Sequence, residues 1–94
     1  MINVKKYLEE YYPDYENLII FDGLDDAFIG VGFMFTKPVV CYDKDKIITI
    51  LMDRDCMTYE EAIEFFDFNI AGTYAGDQTP LILEGTLPWL NGLS

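Results

Sequence analysis

Residues 27–43 read AFIGVGFMFTKPVVCYD, and the reading of this stretch decides the fold. Over residues 27–35 the apolar side chains alternate with the two-residue period of a strand. Ala27, Ile29, Val31, Phe33 and Phe35 fall on one face, and Phe28, Gly30, Gly32 and Met34 on the other. The segment Thr36-Lys37-Pro38 predicts a turn, after which VVCYD, residues 39–43, returns as an antiparallel strand. Two glycines on one face leave bare backbone, where another element, a ring or a ligand can approach closely, a packed helix being the expected one.

Working outward, the period changes at Asp43. In DKDKIITILMDRD the residues Ile47, Ile48, Leu51 and Met52 share one helical stripe, with Asp43 placed to cap the first turn. A second helix starts at Thr58, because Thr58 and Glu61 form a T-x-x-E capping box. It is predicted to run to Ala71 and to end at Gly72, with Ala62, Phe65, Phe66 and Asn69 on one side. Glu60, Glu64 and Asp67 line another side. The residues YAGDQTP predict a loop, and LILEG a last strand.

Before the hairpin, Ile2, Val4, Tyr7, Leu8, Tyr11 and Tyr12 recur at helical spacing until Pro13 stops the run. Residues 18–22 predict a short strand, closed by a turn at Asp22–Gly23. The order α-β-β-β-α-α-β lacks alternating βαβ units. The expected fold is therefore α+β: a small, mostly antiparallel sheet of three to four strands with about three helices packed on it. Residues 1–86 form the expected single domain, and residues 87–94 an apolar tail.

Charge is the strongest global feature. Seventeen acids against six bases give a net −11. Residues 1–54 hold ten acids and all six bases, while residues 55–94 hold seven acids and no base. Such a surface repels nucleic acid and anionic membrane and attracts basic protein surfaces. Half of the chain is apolar, which predicts a folded domain, and no apolar run reaches the roughly 18 residues of a membrane-spanning helix. A soluble, intracellular protein is expected, with Cys41 and Cys56 as buried free thiols.

Most catalytic chemistry lacks its residues. The chain has no histidine, and its only serine is the terminal Ser94. The usual general base, the nucleophilic triads and most zinc and haem sites are thereby removed. No phosphate-cradling glycine motif occurs. Cys41, between Val40 and Tyr42, reads as a core thiol. Asp22, Asp25 and Asp26 gather at one turn and are the sole weak candidates for a metal. No catalytic residue and no cofactor is expected.

Four pieces of the chain, DGLDDAFIG (22–30), YDKDK (42–46), LMDRDCM (51–57) and EEAIEFFDFNIAGTYAGDQTP (60–80), resemble a family of small uncharacterised proteins of bacteriophages and prophages. The resemblance spans residues 22–80, about two-thirds of the chain, and its last piece is the most specific. It implies a phage source and the cytoplasm of the bacterial host, and it brings no catalytic residues. The expectation is a non-enzymatic inhibitor of a host defence or nucleic-acid-processing protein with a basic surface. Glu60, Glu64, Asp67 and Asp77 are its candidate contacts. Glu60 to Asp67 spans roughly 10 Å of helix, too sparse a row to mimic duplex DNA alone, so further acids would have to join that face. The alternative is a self-assembling accessory protein, a homodimer for example, using Leu87, Trp89, Leu90 and Leu93 of the tail.

Overall fold

The computed structural model describes residues 3–85. The expected tail contacts Leu87, Trp89, Leu90 and Leu93, and the boundary after residue 86, lie outside the described residues. Within them the fold is α+β. Helix α1 spans Val4–Tyr11, strands β1 and β2 span Phe28–Met34 and Lys37–Asp43, and helices α2 and α3 span Lys44–Arg54 and Tyr59–Phe65. A π-helical turn, Phe66–Ile70, continues α3, and β3 spans Leu81–Leu83. The sheet order is β1-β2-β3, with β1 antiparallel and β3 parallel to the central β2.

Tyr42 organises the core. Its side chain is fully buried, its ring stacks on Phe21 at 5.3 Å, and its hydroxyl accepts the Phe21 backbone N–H at 2.9 Å. That bond explains why residues 18–22 form no strand, contrary to the sequence expectation. Leu18, Ile20 and Phe21 pack on the core as an irregular segment, and a side-chain hydroxyl takes the place of a ladder partner for Phe21.

The alternation predicted for β1 is broken by a bulge. Phe28 pairs with Tyr42 and Gly30 with Cys41, so Ile29 is an extra residue without an opposite number. Phe28 and Val31, an odd distance apart, both pack against the core, while Ile29 is turned outward. The glycines are not helix-packing sites either. A side chain at Gly30 would meet nothing within 4 Å, and one at Gly32 would lie 3.1 Å from Cys41 Sγ.

Helix α2 forms despite its β-branched run because Ile47, Ile48 and Leu51 are buried together; Met52 turns out to the surface. Asp43 occupies the N-cap position but makes no side-chain bond into the first turn. In α3 the expected capping box is present: Thr58 Oγ1 accepts from Glu61 N at 3.1 Å, and Glu61 Oε1 accepts from Thr58 N at 2.9 Å. The helix then widens, Ala71 N reaching the Phe66 carbonyl five residues back at 2.8 Å. The buried stripe is therefore Ala62, Phe66 and Ile70, and the expected Phe65 and Asn69 face outward. In α1, Val4 and Leu8 are buried, whereas Tyr11 is 62% exposed.

Candidate functional site

The parallel register of β3 on β2 sets Leu83 opposite Asp43, so the next residues of the two chains, Glu84 and Lys44, meet. Lys44 Nζ donates to Glu84 Oε1 at 3.1 Å and lies 5.3 Å from the centre of the Phe66 ring. The Glu84 hydrogen bond, helped by the negative charges of Glu84 and Asp67, raises the Lys44 pKa above its ordinary value. Asp67 therefore stands at the border of this ion pair. Glu64 and Glu60 carry the negative face back along α3, and all three are exposed. Among the described residues none of the three makes an ion pair, since the two pairs formed are Lys44–Glu84 and Arg54–Asp55.

A groove of about 270 Å³ between α2 and α3 opens beside this face, lined by Lys44, Ile48, Met52, Tyr59 and Glu84 among others. The π turn adds an apolar element: Phe68, next to Asp67, is 80% exposed. The face thus combines carboxylates with exposed aromatic surface.

Asp77 does not join it. It lines a separate groove of about 410 Å³ with Met34, Phe35, Lys37 and Tyr74, at the hairpin end of the sheet. β2 runs from Lys37 to Asp43, so roughly 20 Å of strand separates that groove from the Lys44 end. Asp25, Asp26 and Asp53 line a third groove, of about 660 Å³, together with Lys46 and Arg54, a surface of mixed sign. Asp22 lines another one, with Lys5 and Glu9. The aspartate trio proposed from sequence is thus divided, and Asp25 Oδ2 accepts the Val4 N–H at 3.4 Å. Among the described residues no group of three or more His, Cys, Asp or Glu is arranged to hold a metal ion.

Of the two thiols, Cys41 is buried as expected, and desolvation raises its pKa. Cys56 is exposed, contrary to the expectation; it lies two residues beyond α2 in a left-handed conformation, φ 57°. Glu84 was missed from sequence. Its role depends on a parallel pairing between distant segments, which no local pattern announces. No protein-family model, curated protein or solved structure matches the chain. Among the described residues no helix is long and apolar enough to cross a membrane.

Proposed function

We propose that the chain is a non-enzymatic, phage-encoded protein-binding module that inhibits a host defence or nucleic-acid-processing protein in the bacterial cytoplasm. The observation that carries this reading is the row Glu60, Glu64 and Asp67, exposed and without ion pairs among the described residues, beside the exposed Phe68. Unpaired carboxylates on a chain of net −11 attract a basic groove and speed its encounter. Phe68 supplies the apolar anchor that such contacts need for affinity. The phage source rests on the sequence resemblance alone. The absence of histidine and the burial of Cys41, whose desolvation raises its pKa, support a role without catalysis.

The test is retention of host proteins on immobilised protein, eluted in salt steps, against a Glu64→Lys/Asp67→Lys variant. A nucleic-acid-binding host protein held at low salt, released by moderate salt and lost on the reversal is the expected result. Equal retention by both forms removes the acidic face from the mechanism. The tail contacts of the alternative reading are tested by truncation after Gly85: unchanged oligomeric size counts against them.

A further inference from the structure

We infer that β1 is a homotypic docking edge: two copies of this chain pair antiparallel through β1, joining two three-stranded sheets into one of six strands. This does not rest on the acidic-face reading. Among the described residues β1 lies at the end of the sheet order and pairs on one side only, with β2. Its hairpin partner positions show which groups are left over. Met34 and Lys37 flank the two-residue turn Phe35–Thr36, so they form the hydrogen-bonded pair next to it. The pairs then alternate, and Phe33↔Pro38 and Val31↔Val40 have their backbone groups turned away from each other. Pro38, which has no N–H to donate, stands where β1 asks for none. The N–H and C=O groups of Val31 and Phe33 therefore point out of the sheet, and among the described residues no hydrogen bond reaches them from that side.

Edge strands of monomers are usually guarded by lysine, proline or inward-pointing charge. Residues 27–36 carry no charge and no proline. Phe33 is 60% exposed and Phe35 94% exposed. The sole irregularity, the bulge at Ile29, lies at the start of the strand and leaves Val31–Met34 regular.

The occupant is a second copy because the edge is self-complementary in its bonding. Pairing about Gly32 sets Val31 against Phe33 of the second copy and Phe33 against its Val31, so each copy's free groups meet the other's. The same register brings Phe35 of one copy beside Ile29 of the other. A chain of net −11 repels its own kind at long range. The uncharged edge is where that repulsion is least.

The test is sedimentation velocity on the full chain over a hundredfold concentration range, in about 0.15 M and about 0.5 M salt, where the Debye length falls below about 8 Å. The expected result is a concentration-dependent species of twice the 10.9 kDa chain mass, more populated at high salt. Phe33→Lys, on an exposed side chain, raises its dissociation constant at least about tenfold while the far-ultraviolet circular dichroism is unchanged. Truncation after Gly85 leaves the dimer in place. A monomer at every concentration overturns the proposal, as does a dimer indifferent to Phe33→Lys. So does a dimer lost on truncation, which would place self-association in the tail. If Phe33→Lys disturbs the fold, protection of the Val31 and Phe33 amides in hydrogen exchange decides: protection must rise with concentration.

Discussion

Replacing Phe35 by glycine removes a large aromatic side chain and is expected to make the protein more stable. Phe35 is the first residue of the two-residue hairpin turn and sits at φ 58°, a left-handed conformation. For an L-residue other than glycine this costs about 1–2 kcal/mol, and a turn with a positive φ at its first position calls for glycine. Against that gain stands the greater freedom of glycine in the unfolded chain, about 0.5–1 kcal/mol. The side chain contributes almost no burial, being 94% exposed. The balance is a stabilisation of about 0.5–1 kcal/mol, which for a domain of this size raises Tm by about 2–8 °C. Thermal unfolding followed by circular dichroism at low protein concentration, where the chain is monomeric, measures it. Phe35→Ala is the control: it keeps the strain, removes the ring, and leaves Tm nearly unchanged. A fall in Tm for Phe35→Gly larger than for Phe35→Ala refutes the reasoning. A phenylalanine held in strain and almost wholly in solvent is otherwise hard to account for unless it meets another surface.

Thr58→Ala removes the acceptor for Glu61 N and is expected to cost about 1 kcal/mol, with Thr58→Ser retaining most of it, as read by urea unfolding. Iodoacetamide at pH 8 is expected to label one thiol per folded chain. Cys56 reacts because it is exposed, and Cys41 waits for unfolding because burial raises its pKa and shields it; peptide mapping that finds Cys41 labelled first sinks this assignment. Tyr42 gives alkaline lability. Burial raises its pKa above the ordinary 10.0, so the folded state holds the proton more tightly than the unfolded chain. Its contribution is full below pH 10 and is lost as pH climbs through the raised folded value. Phenolate absorbance from one tyrosine should therefore appear together with unfolding, and a smooth titration of all seven tyrosines before unfolding would contradict it.

Local signals were legible and long-range ones were not. The hairpin, the stripe of α2 and the capping box of α3 rest on near neighbours and all form, although the turn falls at Phe35–Thr36 rather than at Thr36-Lys37-Pro38, which leaves Lys37 and Pro38 in β2, and Met52 leaves the α2 stripe for the surface. The misses share a cause. The segment 18–22 has strand composition, but its Phe21 N–H is claimed by the hydroxyl of Tyr42, 21 residues away. The bulge at Ile29 and the π turn at Phe66–Ile70 each change the period in mid-element, so faces counted with a fixed period go wrong beyond them. At the candidate site, Glu60, Glu64 and Asp67 could be placed on one face from spacing. Their separation from Asp77, and the company of Glu84 and Lys44, depend on how β2 runs and which way β3 lies against it.

The two proposed surfaces differ in what salt should do to them, and this follows from where the charge lies. The α3 face gathers carboxylates in the half of the chain that has no base, so its attraction for a basic partner weakens as salt screens it. The β1 edge is uncharged, and what opposes its pairing is the repulsion between two chains of net −11, which the same salt relieves. Raising salt therefore moves the protein from partner to self, and lowering it does the reverse. The two surfaces lie on different elements, so a dimer through β1 leaves both copies of Glu60, Glu64 and Asp67 outward. It presents two acidic rows instead of one, and where salt permits both contacts it gives the pair two points of attachment. An inhibitor built this way binds a two-sited basic partner more tightly than the Phe33→Lys monomer does, with both forms equally weakened by Glu64→Lys/Asp67→Lys at each site. Equal affinity of the wild type and the Phe33→Lys form for such a partner would separate the two surfaces and leave β1 without a part in inhibition.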